Sequence, residues 1–189
     1  MKSSPFSSGV IVLSQMQIKR GVRACANYIR KTAEGSPELP VALVGILTGA
    51  AYFAVDLSRE LIGVSHTIHF VSSKSYDGRK QSDSSQIKID PKLKSKLSDH
   101  LVFVLDELFD SGKTLRSIRN GIETLFEQGN LPSIHTITLM FKNTEEKKKY
   151  PVPDFYPCEV PDYWLVGYGL DNSGLHRNML EVWGLPKEE

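Results

Sequence analysis

The stretch His100 to Ile118, HLVFVLDELFDSGKTLRSI, restricts what this chain can fold into more than any other. Leu101 to Leu105 form an apolar run short enough for a buried strand, and the run empties into three acids, Asp106, Glu107 and Asp110. Ser111, Gly112, Lys113 and Thr114 then stand where a helix should begin, because Leu115, Ile118, Ile122 and Leu125 repeat at spacings of three and four. The pattern predicts a strand, a loop carrying the acids, and a helix that runs to Gly129. Free backbone N–H groups at a helix start, with two hydroxyls beside them, form a seat for a phosphate. Carboxylates next to that seat repel a phosphate unless a divalent cation lies between, or unless they face sugar hydroxyls. A phosphorylated sugar bound with magnesium meets both conditions. Glu107 stands where a Walker A loop requires Gly, so the GKT is not a nucleotide triphosphate loop. The same residues also read as an ordinary strand, an acidic surface turn and a capped helix.

The flanking sequence alternates strands with helices. Residues 1–8 are Ser-rich and expected to be loosely held. Ser14 and Gln17 form a capping box, and Ile18, Val22, Cys25 and Ile29 share one face of a helix reaching about Lys31. VALVGIL at 41–47 is a continuous apolar strand of the kind buried on both faces of a parallel sheet. A second helix follows with Ala50, Phe53, Ala54, Leu57 and Leu61 inward. Ser65 to Ser72 reads as a strand that sends His66 and His69 to opposite faces, so they cannot share a metal. Residues 73–86, SKSYDGRKQSDSSQ, lack periodicity and read as a mobile loop, long enough to suggest a function, with a short strand returning near Gln86 to Ile89. SIHTITLMF at 133–141 predicts a strand ending at Lys142, Lys147 to Lys149 a solvated turn, and the regions of Phe155 and Tyr163 to Val166 a last pair of short strands. Such alternation favours an α/β fold with a mostly parallel central sheet, whose ligands bind at the carboxyl ends of the strands. Leu47, Asp106 and Lys142 all fall at that edge.

Composition narrows the partner. With 189 residues and 40% hydrophobic content the chain fits one domain. Its 23 basic and 22 acidic residues leave a net charge of +1, which argues against nucleic-acid or membrane-surface binding and for a small ligand. Cys25 and Cys158 cannot build a disulfide framework and lack metal-ligand spacing, which favours a reducing cytoplasm. The longest uncharged stretch, Leu39 to Val55, falls short of the roughly 20 apolar residues of a membrane span. Val10 to Leu13 is too short for a signal sequence.

The central stretch resembles the phosphoribosylpyrophosphate (PRPP) motif of type I phosphoribosyltransferases: hydrophobics, two acids, two hydrophobics, Asp, Ser, Gly, Lys, Thr. KSY at 74–76, FKNT at 141–144 and WLVGYGLD at 164–171 resemble the 6-oxopurine branch, the hypoxanthine-guanine phosphoribosyltransferases, in order and approximate spacing over residues 9–184. The resemblance implies the type I phosphoribosyltransferase fold over residues 1–189, with a small hood built from the N-terminal residues and about 150–189. It implies that Asp106 and Glu107 accept the ribose hydroxyls, directly or through Mg2+. Asp110, Ser111, Gly112, Lys113 and Thr114 would hold the 5-phosphate. Asp110 would also serve as general base or acid at the purine imidazole nitrogen, although a helix cap is its simpler role. Leu47, Thr48 and Gly49 resemble the pyrophosphate loop, in which the first peptide is cis, and Arg177 matches a pyrophosphate-binding arginine. Asp171 would reach a second magnesium through water. Lys142 would donate to the 6-oxo group, Trp164 would stack on the ring, and the carbonyls of Leu165 and Asp171 would accept from a 2-amino group. Ser75 and Tyr76 match a pair that closes over the site.

The implied reaction joins PRPP to hypoxanthine or guanine, giving IMP or GMP and pyrophosphate, in a cytoplasmic homo-oligomer, a dimer or tetramer. Xanthine selectivity and a nucleotide-binding regulator on the same fold are the alternatives. Two positions depart from the common pattern. Asp106 then Glu107 reverses the usual order of acids, and Thr48 stands where many relatives carry Lys.

Overall fold

The fold follows from how the apolar strand runs divide between two layers. A computed structural model describes residues 6, 8–72, 89–127, 130–142 and 150–186. In chain order its elements are β1 (Val10–Leu13), α1 (Gln15–Ala33), β2 (Val41–Leu47), α2 (Ala50–Glu60), β3 (His66–Ser72), α3 (Leu93–Leu97), β4 (Leu101–Phe109), α4 (Lys113–Glu123), β5 (Ile134–Lys142), β6 (Cys158–Val160), β7 (Trp164–Val166) and β8 (Val182–Leu185). Five strands form a sheet in the order β3-β2-β4-β5-β6, and every neighbouring pair is parallel. Successive side chains of a strand point to opposite faces, so the continuous runs of β2 and β4 serve both layers. Leu43, Phe103 and Leu105 pack with Ile18, Val22 and Ile29 of α1 and Phe53 and Leu57 of α2. Ala42, Val44, Val102 and Val104 pack on the other face, with Leu93 and Leu97 of α3 and Leu115, Ile118 and Ile122 of α4.

Most helices and strands lie where the sequence predicts. The capping box at α1 is closed in both directions: Ser14 Oγ accepts from the Gln17 N–H and Gln17 Oε1 accepts from the Ser14 N–H. All five residues named for the inner stripe of α2 are buried. His66 hydrogen-bonds Ser58 of α2 at 2.8 Å, whereas His69 lies in the field of Lys96 and His100.

Three expectations need correction. β4 does not end at Leu105 but runs on through Asp106 and Glu107 to Phe109, because pairing with β5 continues to Phe109↔Phe141 after pairing with β2 has stopped at Gly45↔Leu105. Asp106 and Glu107 therefore sit on a strand, which there has one neighbour among the described residues, and only Asp110 lies past its end. α4 ends at Glu123, not Gly129. The Leu125 and Phe126 N–H groups donate to the Ile122 and Glu123 carbonyls in tighter turns, and the Thr124 hydroxyl donates to the Gly121 carbonyl. Phe155 makes only a single bridge to Ile137, and the strand beyond it is β6, which extends the main sheet. Here the Asp154 carboxylate takes the Thr136 N–H and hydroxyl, each at 2.7 Å, and Pro157 has no N–H to offer. The loop 73–86, the strand sought near Gln86, Gly129 and Lys147 to Lys149 lie outside the described residues, save that Ile89 is described as irregular.

Three short elements went unpredicted. α3 is a single turn, too short for helical periodicity to register. β1 and β8 are four residues each and pair antiparallel, with β7 on the other side of β8, to form a second sheet in the order β1-β8-β7. Among the described residues no helix is long and apolar enough to cross a membrane.

The Asp154 carboxylate takes the Thr136 N–H beside the two backbone bonds that Phe155 makes to β5. Asp154→Ala should lower unfolding free energy by about 2 kcal/mol, since it orphans the Thr136 donors, and chemical denaturation monitored by far-ultraviolet circular dichroism measures this.

Candidate active site

β4 outlasts β2, and Glu107, one of the two acids it carries past that point, lies against the loop that follows β2. The Glu107 N–H donates to Asp106 Oδ1 at 3.0 Å. Burial holds the Asp106 carboxyl well above the usual range, and the charge of Glu107 beside it adds to the effect. Burial also raises Glu107. The hydrogen bond with Asp106 and the Arg177 guanidinium pull it back down, and Asp171 pushes it up. Glu107 Oε2 is buried with no hydrogen-bond partner among the described residues. This carboxylate lies so close to Gly49 that a Cβ added there would fall 1.8 Å from Glu107 Oε1.

The Leu47–Thr48 peptide is cis, in keeping with the expectation for this loop. Its last residue, Gly49, is enclosed from a second side. Gly169, at φ +100°, approaches so near that a Cβ would stand 2.1 Å from the Gly49 carbonyl oxygen. Gly169 belongs to a hairpin held by the bridges Gly167↔Leu170 and Asn172↔Leu175. Arg177 ties that hairpin together, donating to the Gly169 carbonyl at 2.5 Å and forming an ion pair with Asp171. Asp171 also accepts from the Gly174 N–H at 2.7 Å. Tyr168, buried in the same hairpin, donates to Asp56 of α2 at 2.9 Å, and burial first, then the Asp56 charge, pushes its phenol up. Leu47, Thr48, Gly49, Asp106, Glu107, Asp171 and Arg177 thus come from three segments, the loop after β2, the end of β4 and the hairpin.

The phosphate seat expected at α4 has an open helix start. Gly112, at φ +77°, is the N-cap, and no side chain caps the helix. A Cβ at Gly112 would sit 2.7 Å from the Phe109 ring, so glycine serves both the turn and the packing. Ser111 is half-buried and Lys113 and Thr114 are exposed beside it. Asp110 is not a cap. Its carboxylate pairs instead with the Lys142 ammonium at 3.4 Å.

Lys142 ends β5 with only 5% of its surface exposed. A second carboxylate, Asp162, approaches its ammonium at 3.5 Å. Trp164 opens β7 two residues further on and is 53% exposed, contrary to the usual burial of a tryptophan on an apolar strand, while Leu165 is buried. Ser75 and Tyr76 lie outside the described residues. Sequence reasoning missed Asp162, Gly169 and the Tyr168–Asp56 bond. The run of glycines at 167 and 169 signals positive φ, whereas Asp162 is visible only once β6 is known to pair with β5.

Comparison with known proteins agrees with this geometry. The family model described as phosphoribosyl transferase domain matches residues 11–173. The hypoxanthine-guanine phosphoribosyltransferase of Aquifex aeolicus is 32% identical over 174 residues, covering 92% of each chain. The hypoxanthine phosphoribosyltransferase of Escherichia coli K12 is 30% identical over 169 residues, covering 89% of this chain and 90% of the relative. Among solved structures, that of the Trypanosoma cruzi hypoxanthine phosphoribosyltransferase in complex with the product IMP superposes with a TM-score of 0.81 over 99% of this chain and 98% of that one. Its sequence identity is 22%, so the likeness shows the fold.

Two glycines in the hairpin separate conformational need from close approach. Gly174 has φ +82° and nothing within 4 Å of the place a Cβ would take, whereas Gly169 meets the Gly49 carbonyl. Gly174→Ala should cost about 1–2 kcal/mol for its left-handed backbone alone. Gly169→Ala should cost a further 1–3 kcal/mol, roughly, for the collision. Parallel urea titrations of the two variants test the difference.

Proposed function

Because the chain belongs to the phosphoribosyl transferase family and has the type I fold, we propose that it is a purine salvage enzyme that transfers the 5-phosphoribosyl group of PRPP to hypoxanthine or guanine. The products are IMP or GMP and pyrophosphate. The observation that carries this reading is the buried Lys142 ammonium beside Asp110, on the same sheet edge as the Asp106–Glu107 pair. An ammonium offers three donors and no acceptor, so it complements a 6-oxo group and opposes a 6-amino group. Trp164, exposed at the start of β7, is available to stack on the purine. The carbonyls of Leu165 and Asp171 take the 2-amino group of guanine.

Asp106 and Glu107 accept the ribose hydroxyls, and residues 110–114 receive the 5-phosphate on the open start of α4. Leu47, Thr48, Gly49 and Arg177 face the pyrophosphate. In the reaction the purine nitrogen bonds to the anomeric carbon as the bond to pyrophosphate breaks, and Asp110 takes the proton the purine sheds. Ser75 and Tyr76 close over the site to exclude water. The hairpin and the small sheet serve as the hood.

The donor set suits magnesium. Among the described residues no three His, Cys, Asp or Glu gather around one point. Mg2+ needs no such cage, since it keeps several waters and binds one or two carboxylates together with ligand phosphates. Asp106 and Glu107 are hard oxygen donors, and Glu107 Oε2 has no partner among the described residues, so these two would hold the ion, with Asp171 reaching a second through water. When bound, magnesium supplies positive charge that neutralises the pyrophosphate leaving group. We place the enzyme in the cytoplasm and expect a homo-oligomer.

The test is pyrophosphate release by the purified protein with PRPP, Mg2+ and each of hypoxanthine, guanine, xanthine and adenine. Turnover with the first two, and little with adenine, is expected; no turnover with any 6-oxopurine overturns the reading. Wild-type activity should require added divalent metal, and Asp106→Asn combined with Glu107→Gln should abolish it; full turnover of the double variant in chelator overturns this. Lys142→Ala should lower kcat/KM for hypoxanthine and guanine roughly 5- to 150-fold while narrowing their advantage over adenine. Steady-state kinetics with all three bases reads this out.

A further inference from the structure

We propose that Asp162 is a positioning residue for the transfer step, keeping the Lys142 ammonium compensated when Asp110 gives up its charge to the purine. The proposal rests on the function just argued and assigns a role to a residue outside the motifs that suggested it.

The Lys142 ammonium lies between Asp110 Oδ2 at 3.4 Å and Asp162 Oδ1 at 3.5 Å. Tight charge-assisted bonds of this kind are about 2.8 Å long, so neither carboxylate grips the ammonium closely, and a donor stays available to a ligand. The 6-oxo group and the imidazole nitrogen of a purine share one edge of the ring. Lys142 and Asp110 must therefore serve that edge together. With both carboxylates ionised the trio carries one net negative charge. Once Asp110 holds the purine proton, the trio is neutral. Among the described residues, removing Asp162 leaves the same proton transfer with an uncompensated cation on a side chain that is only 7% exposed, and such isolation is strongly disfavoured.

The backbone fixes Asp162 for this task. Lys142 pairs in register with Val160 on β6, and the chain then turns at once, the Tyr163 N–H bonding to the Pro161 carbonyl at 2.9 Å. Asp162 occupies the centre of that three-residue turn. The Tyr163 ring rests on β8, where a Cβ on Gly184 would come within 2.8 Å of it. The chain then enters β7 with Trp164. One short segment thus sets both the counter-ion of the base donor and the ring proposed to stack on the base.

The experiment measures single-turnover rates at saturating hypoxanthine, with hypoxanthine and PRPP affinities measured separately. Asp162→Asn should slow the saturating rate at least about tenfold, a value discounted from that of a fully buried pair because Asp162 is partly exposed. PRPP affinity should stay unchanged, and Asp162→Glu should recover the rate to within about threefold of wild type. Asp162→Ser carries the same expectation should Asp162→Asn fail to fold. A neutral variant with the wild-type saturating rate overturns the proposal, as does one that loses only affinity for the base, which is what a purely structural role in carrying Trp164 would give. Wild-type protein inactive with every 6-oxopurine overturns the function itself, and this proposal with it. Active wild type with an unaffected neutral variant overturns this proposal alone.

Discussion

The site depends on a mismatch in strand length. A central strand of a parallel sheet must be apolar on both faces, and β4 obeys that rule while β2 lies beside it, up to Leu105. Beyond that point β5 is the one neighbour of β4 among the described residues, and there the strand turns polar with Asp106 and Glu107. Two adjacent carboxylates, both driven upward by burial, would be a liability in a closed core. At the strand end Glu107 lies against the Leu47–Gly49 loop, and the charge of Arg177 on the hairpin draws it back toward ionisation. A cation within electrostatic reach offsets part of that burden on Glu107.

The sequence reveals the main sheet because long apolar runs leave few choices. VALVGIL and SIHTITLMF can only be strands in an alternating chain, and both lie where their patterns put them. It conceals what depends on short or distant pairing. Four residues at Val10 and four at Val182 carry no readable period, yet they pair with each other. The polar tail of β4 reads as loop because a strand with one neighbour no longer needs alternation. In the site, residues that stand in a contiguous motif, such as Asp106 to Thr114, are visible from the sequence. Asp162 is not, since its nearness to Lys142 arises from the register of a three-residue strand.

The two departures from the common pattern acquire a structural setting. Glu107, one methylene longer than Asp, sends its carboxylate against Gly49 at a distance no side chain there could share. The reversed acid order and the glycine therefore belong to one packing arrangement. Thr48 adds no charge to the loop, and the cation that acts on Glu107 comes instead from Arg177, held on the hairpin by Asp171 and the Gly169 carbonyl. Positive charge reaches this side of the site from a different part of the chain.

The pairing of β1 with β8 has a consequence for how the molecule comes into being. Val10 meets Gly184, so the small sheet brings together residues from opposite ends of the described chain. Closing so long a loop carries an entropic cost that grows with the logarithm of its length, and contacts so distant in sequence form slowly. During synthesis on a ribosome, β1 emerges among the first elements and waits without its partner until β8 follows. All five strands of the main sheet, which carry Asp106, Glu107 and Lys142, lie within the chain up to Val160. The segment from Trp164 to Arg177, which contributes one wall of the site, is anchored only afterwards. A growing chain thus has every strand that carries the acids and the lysine on hand before the wall that would enclose a ligand.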